Sequence, residues 1–206
     1  DALRRVAEEQ GAVVRTDTQV VHLVRDDGVV IGVEARTGVR TAIYLARRGV
    51  IFGSGGFVHD RELTRAHLRG PVLGGAAAET ATGDFVRIGI EAGARLGNMS
   101  HAWWDRGVVE HAVTVPSTIK DVYSPYGDSM LMVDKHGRRV VNEKAVYNER
   151  GQVHFVWDAS RYEYPNLLLF WIFDQAVVDD ERFSRFRWPV PMPGEPFPDF
   201  VFGADT

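Results

Sequence analysis

Three stretches of this chain combine residue types that can do chemistry. Gly53, Ser54, Gly55 and Gly56 directly follow an apolar run at residues 50–52. Glycine admits φ > 0 and lets another group approach the main chain closely, so a strand ending this way either turns tightly or touches a ligand through its backbone. Thr82-Gly83-Asp84 stands at the start of an amphipathic run. The free N–H groups of a helix start suit a phosphate or an electron-rich ring edge, although an ordinary helix cap has the same residues. Residues 137–151, GRRVVNEKAVYNERG, concentrate Arg138, Arg139, Glu143 and Tyr147. A guanidinium can bind or protonate an oxyanion and a phenol can donate to a ketone; a charge-rich hairpin is also what a solvated surface looks like.

Other chemistries are excluded or unsupported. The chain has no Cys, which removes disulfides, thiolate nucleophiles and Cys-zinc sites and fits a reducing cytoplasm, the expected location. Its seven His are scattered, no H-E-x-x-H occurs, and no metal is expected. No G-x-S-x-G elbow is present. The formal net charge of -4 offers no basic field for nucleic acid. The longest apolar run, residues 167–173, is too short for a membrane span. A G-x-G-x-x-G fingerprint starting at Gly53 fails because Val58 occupies its last position, so this is not the first βα turn of a Rossmann unit.

The elements that must position these residues follow from patterning. Residues 3–10 have helical spacing and stop before Gly11, a plausible C-cap. Residues 12–26 are rich in Val and Thr and read as strand, with a hairpin signal at Asp26-Asp27-Gly28. Residues 29–37 and 40–48 are further strands about Gly38, which predicts a β-meander. Residues 49–53 read as a wholly apolar strand of a parallel sheet covered on both faces. A short helix begins at residues 59–62, and residues 84–97 form another, with Thr82 or Asp84 placed to cap it. From residue 101 the chain is richer in Trp, Tyr and Pro. Residues 129–143 read as two strands about His136-Gly137, residues 166–175 as a central strand, and residues 188–198 as an extended Pro-rich loop. The fold class is therefore α/β, with a boundary near residue 100. The chain opens inside a helical pattern and closes in a loop-like stretch, as a piece of a longer protein would.

The order of these signals carries more than any one of them. The meander, GVIFGSGGF, TGD at a helix start, GARL, AWW, MVDKHGRRVVNE, YPN and IFDQ follow one another as in the flavoprotein family of fumarate reductases, succinate dehydrogenase flavoprotein subunits and 3-ketosteroid Δ1-dehydrogenases. The chain resembles the middle of such a protein, without its N-terminal G-x-G-x-x-G unit or its C-terminal flavin-binding segment. The resemblance implies FAD as cofactor, a partial FAD-binding domain over residues 1–100 (parallel sheet plus β-meander) and a partial α+β capping domain over residues 101–206. GSGGF resembles the family's Ala-Thr-Gly-Gly-Phe turn, whose backbone packs against FAD, so Ser54, Gly55 and Gly56 are expected cofactor contacts, with Thr82, Gly83 and Asp84. The strand at residues 18–21 resembles the one whose backbone, near Val20, meets the adenine. Phe85 stands where the family's Thr-Gly-Asp-Gly has its last glycine.

Arg139 matches the proton-donating Arg of the fumarate reductase hairpin, with Val140 where Phe is usual. That branch's Thr-Glu pair has no counterpart in residues 124–133. AWW and NEKAVYNERG look more like the steroid-dehydrogenase branch, where Tyr147 matches the Tyr that stands near the ketone. The resemblance thus implies an FAD-dependent oxidoreductase passing a hydride and a proton between the flavin and a C–C bond beside a carbonyl. Its partners would be a small apolar carbonyl compound and an electron acceptor that the sequence does not identify. The alternatives are a fumarate-reductase-like enzyme using Arg139, or a non-catalytic folded fragment that binds no cofactor. An isolated fragment is expected to be inactive, and its uncovered apolar surface would favour self-association.

Overall fold

The computed structural model describes residues 2–115, 129–180 and 190–204. In chain order the elements are α1 (Ala2–Glu9), β1 (Gln19–Asp26), β2 (Val29–Thr37), β3 (Arg40–Leu45), α2 (Arg61–His67), α3 (Asp84–Glu91), α4 (Val109–Ala112), β4 (Met130–Val133), α5 (Tyr147–Gly151), a 3₁₀ turn (Gln152–Phe155), β5 (Phe170–Phe173) and α6 (Gln175–Asp179). They divide into two compact units, Asp1–Ser54 with Asp84–Gly97, and Gly55–Gly83 with Asn98–Thr206.

The first unit is built on the expected meander. β1, β2 and β3 are antiparallel neighbours in sequence order. Asp27 and Gly28 both have positive φ, 44° and 80°, which is the mirror-image turn whose twist suits a two-residue hairpin. The strand expected over residues 12–26 is shorter: β1 begins at Gln19. Two register shifts interrupt the β1–β2 ladder, between Val20 and His22 and between Val24 and Arg25. Across β1 lies α3, whose Val86 and Ile88 are buried and whose Glu91 meets His22 Nδ1 at 3.0 Å. α3 is shorter than the helix expected to residue 97. It ends because Gly93 takes φ +83° and the Ala94 N–H reaches back to the Gly89 carbonyl at 2.8 Å, a Schellman-type stop.

The parallel strand expected in this unit is not seen among the described residues. Both sheets among the described residues are antiparallel, and residues 50–53, read as a parallel strand, form no ladder there. A strand is defined by its neighbour's hydrogen bonds, and these residues have no such neighbour among those described. Ile51 is accordingly 96% exposed.

The second unit holds β4 and β5, paired antiparallel from Met130–Phe173 to Val133–Phe170. The expected second strand after His136-Gly137 reduces to a single bridge between Val133 and Arg139. The expected central strand is β5, four residues of a two-stranded sheet with alternate side chains exposed. Its apolar run reflects a one-sided packing face rather than double coverage. The N-terminus of α2 is capped by Asp60, which accepts from the Leu63 N–H at 2.8 Å. Residues 188 and 189 of the Pro-rich stretch lie outside the described residues; from residue 190 to 204 it has no helix or strand.

Gly83 ties two loops of this unit together. Its N–H donates to the Gly56 carbonyl at 3.1 Å, and its φ is +76°. A Cβ there would lie 2.5 Å from Leu63 Cδ1 and 2.8 Å from Phe57 Cβ. Gly83→Ala therefore combines backbone strain with overpacking and is expected to destabilise by about 1–3 kcal/mol. In urea unfolding the midpoint should fall with little change in slope; an unchanged midpoint would mean the loop is not held in this conformation.

Candidate functional site

The expected cofactor residues fall on both sides of the boundary between the two units, which passes between Ser54 and Gly55 and again between Gly83 and Asp84. Within the first unit Val20 pairs with Ala35 beside a register shift, a place where strands often re-aim their backbone. Ser54 is exposed, and Asp84 is the first residue of α3, where a carboxylate complements the helix dipole. Within the second unit Gly55 and Gly56 are exposed and the structure brings Gly56 to Gly83. The Thr82 N–H donates to the Thr80 carbonyl at 2.9 Å.

The glycines decide whether a flat cofactor fits. A Cβ at Gly53 or Gly56 would meet nothing within 4 Å, and one at Gly55 would reach only Ala81 Cβ at 3.9 Å. These residues are thus not glycine to relieve crowding inside their own unit; Gly55 alone needs it, for its φ of +80°. What they present is bare, solvent-facing main chain with room beside it. That fits a group lying directly against the backbone. Among the described residues no cluster of three or more His, Asp or Glu could hold a metal ion.

In the second unit the expected catalytic residues lie on a scaffold organised by buried charges. Glu143 is 2% exposed. Its Oε1 accepts from the Met132 N–H at 2.8 Å, which pins β4. Arg139 Nε donates to both carboxylate oxygens at 3.2 and 3.1 Å, and Nη2 to Oε2 at 2.6 Å. Arg150, also buried, donates to the Glu143 backbone carbonyl at 2.6 Å. Burial pushes the Glu143 carboxyl up, but hydrogen bonds from Arg139 and Met132 outweigh it and hold the group below its ordinary range. The same hydrogen bond raises the Arg139 pKa, so this guanidinium is held as a cation and is a weaker acid than an unpaired one. Arg139, at a 61% exposed side chain, is therefore engaged with the scaffold.

The turn before Arg139 is fixed by a second buried carboxylate. Asp134 Oδ1 accepts from the N–H groups of His136 and Arg138 at 2.8 and 2.9 Å, and its Oδ2 lies 2.7 Å from Arg138 Nη2. Burial raises its pKa, yet the Arg138 and His136 hydrogen bonds dominate and bring it down to about 2. Asp134 and Arg138, like Arg139 and Glu143, are four residues apart, a spacing visible in the sequence although the sequence reading assigned Asp134 no role.

Tyr147 opens α5, half-buried, and is engaged differently from Arg139. Trp103 stacks on it, with ring centroids 6.0 Å apart and planes at 28°, and its indole Nε1–H donates to the Tyr147 hydroxyl oxygen. The same unit also holds a buried Arg106 and the half-buried His154 and Asp105, none of which the sequence singled out. Arg106 is buried, and burial, aided by repulsion from Arg150, lowers its pKa to about 10. His154 donates through Nδ1 to the Asn166 and Leu167 carbonyls at 2.8 and 3.1 Å, and burial pushes its pKa down, favouring the neutral ring. Burial likewise raises the Asp105 carboxyl, against the N–H of Arg106. Isolated Arg and His between aromatic residues carry no periodic signal, which is why these escaped notice.

A family model described as "FAD binding domain" matches residues 2–176. Among curated proteins, the chain is 30% identical over 210 residues to a 3-oxosteroid 1-dehydrogenase of Mycolicibacterium smegmatis, covering 95% of this chain and 34% of that protein. It is 26% identical over 185 residues to a 4-oxocyclohexanecarboxylate 2-dehydrogenase of Sinomonas cyclohexanicum, covering 88% of this chain and 30% of the relative. The chain thus spans about a third of the length of these curated relatives. Among solved structures it is similar to a 3-ketosteroid delta1-dehydrogenase from Sterolibacterium denitrificans in complex with 1,4-androstadiene-3,17-dione, with TM-score 0.65 and 25% identity over 74% of this chain and 28% of that one. No described helix is long and apolar enough to cross a membrane.

The Asp134 turn makes a pH test. Because its folded pKa is depressed, its stabilisation is complete above the ordinary value of 3.8 and is lost as pH falls towards about 2. The protection of the His136 and Arg138 amides relative to their intrinsic exchange rates should fall in this window, and in Asp134→Asn it should be low already at neutral pH. Protection that is flat from pH 5 to pH 2 would contradict the assignment.

Proposed function

The chain belongs to the FAD-binding domain family, and on that premise we propose that it is the middle portion of an FAD-dependent oxidoreductase acting on the C–C bond beside a ketone. When bound, FAD would supply the redox chemistry, taking up the hydride released as the C–C bond beside the ketone becomes C=C, with the accompanying proton passing to water. The protein's part is to hold the cofactor, to orient the ketone and to steady charge on its oxygen.

In this reading the backbone of Ser54, Gly55 and Gly56, with Thr82, Gly83 and Asp84 and the strand at Val20, lies against the cofactor. Residues 1–100 belong to the FAD-binding domain, where residues 49–53 take a place in a parallel sheet, and residues 101–206 form a capping domain over the substrate. The substrate class is a small, largely apolar cyclic ketone, the feature common to the steroid and cyclohexanone compounds named for the relatives. A cytoplasmic location suits the absence of Cys.

Tyr147 is the group we place at the ketone oxygen, as hydrogen-bond donor. The observation that carries this choice over Arg139 is the difference in what each side chain is committed to. Arg139 gives three hydrogen bonds to a buried carboxylate, which strengthens its hold on its proton. The Tyr147 oxygen accepts from Trp103, and its own O–H remains available to donate.

Two experiments on the flavin-loaded protein test this. Gly56→Val introduces a side chain where the chain itself offers open space, so folding should be retained while bound flavin falls several-fold, read as flavin absorbance per protein; unchanged stoichiometry would reduce GSGG to a plain turn. Tyr147→Phe should lower kcat on 4-androstene-3,17-dione by roughly 10²–10⁴-fold, the range of general acid catalysis, with flavin content kept. Arg139→Lys should act mainly on stability, because a Lys cannot reproduce the two-pronged contact with Glu143. If Arg139→Lys instead abolishes turnover of fumarate while Tyr147→Phe is silent, the fumarate-reductase-like reading takes over.

A further inference from the structure

Trp103 is 81% exposed, while its neighbour Trp104 is buried. Three contacts hold Trp104. Its backbone N–H donates to Asn148 Oδ1 at 3.0 Å. Its ring meets Phe155 edge-on, with centroids 4.5 Å apart. Its Cβ lies against Gly151, where an added side chain would come within 2.8 Å. All three partners belong to α5 or to the 3₁₀ turn that continues it, and α5 begins with Tyr147. Docking Trp104 on this segment thus delivers Trp103 to the Tyr147 ring, where the two stack and the indole N–H reaches the phenol oxygen.

The direction of that hydrogen bond is fixed by chemistry. An indole nitrogen only donates, so the phenol oxygen accepts and its own hydrogen must point elsewhere. Stacking limits rotation of the phenol, and a donor on the oxygen polarises its O–H and strengthens the bond that O–H can give. We propose that Trp103 is a positioning residue that orients the Tyr147 hydroxyl and strengthens its donation to a substrate ketone. The proposal rests on the reading of Tyr147 as the group at the ketone oxygen.

The test is a double-mutant cycle in the flavin-loaded protein with Trp103→Phe, which keeps an aromatic ring and removes the N–H, Tyr147→Phe, and both together. The probes are 4-androstene-3,17-dione with an artificial electron acceptor for kcat and KM, and the resonance Raman band that reports hydrogen bonding of an indole N–H. Trp103→Phe should lower kcat about five-fold, the scale of one neutral hydrogen bond, with KM and flavin content within about two-fold of wild type. In the Tyr147→Phe background it should have almost no further effect on kcat. Tyr147→Phe alone should shift the indole band of one tryptophan to the unbonded position. A purely structural Trp103 would lower flavin content or raise KM, and its effect would persist in the Tyr147→Phe background; either result overturns the proposal. An unshifted indole band overturns it by removing the hydrogen bond itself. If Tyr147→Phe collapses turnover while Trp103→Phe is silent, the positioning role fails and the reading of Tyr147 stands. If Tyr147→Phe turns over normally, that reading fails and the proposal falls with it.

Discussion

The buried carboxylate of Glu143 is the constraint on which the second unit depends. A charge at 2% exposure is tolerable only if its oxygens are met by strong donors, and here the Met132 N–H and the Arg139 guanidinium supply them, while a third contact holds the Glu143 main chain. Met132 brings β4, Arg139 the segment after the turn, and Arg150 reaches the Glu143 backbone from α5. The carboxylate therefore ties a sheet to the segment after the turn, and the main chain of the same residue ties both to a helix. Tyr147 lies on that helix, three residues before Arg150, so its position follows from the same network.

This arrangement sorts two side chains that look equivalent in the sequence. Arg139 and Tyr147 are both polar, both near a charge-rich hairpin and both suited to an oxygen of a substrate. The network commits Nε–H and one Nη2 hydrogen of Arg139 to a buried carboxylate and leaves the phenol O–H uncommitted. A guanidinium held by a buried carboxylate is a structural cation with a strengthened grip on its proton, whereas a phenol whose oxygen already accepts a hydrogen bond is prepared to give one.

The glycines we propose to face the cofactor obey a different logic. In the core, glycine is usually explained by crowding, and Gly83 fits that account. At Gly53 and Gly56 the chain provides open space, so packing within the unit gives no reason for the absence of a side chain. The match to an FAD-binding domain family offers such a reason for the proposed contacts, since a large planar cofactor needs bare backbone to approach closely.

The meander, its two-residue turns, α1, α2 and the start of α3 were legible in the sequence because each rests on local signals: alternating apolar residues, Asp27-Gly28, an Asp cap, a glycine stop. Family membership was legible for a related reason, since the order of short motifs survives where overall identity is about 30% or less. What local patterning left undecided was pairing. Residues 50–53 and 166–175 are apolar enough for buried strands, but whether an apolar run becomes a central strand, an edge or an unpaired extension depends on which backbone lies beside it. The Arg106, His154 and Asn166 group was invisible for the same reason: burial of a polar residue is decided by distant partners. The sequence by itself determined which residues can do chemistry and which turns and helices carry them. Only the tertiary structure decided that Arg139 is bound to Glu143 and that Trp103 meets Tyr147, because both outcomes follow from how a buried charge and a buried indole are satisfied in three dimensions.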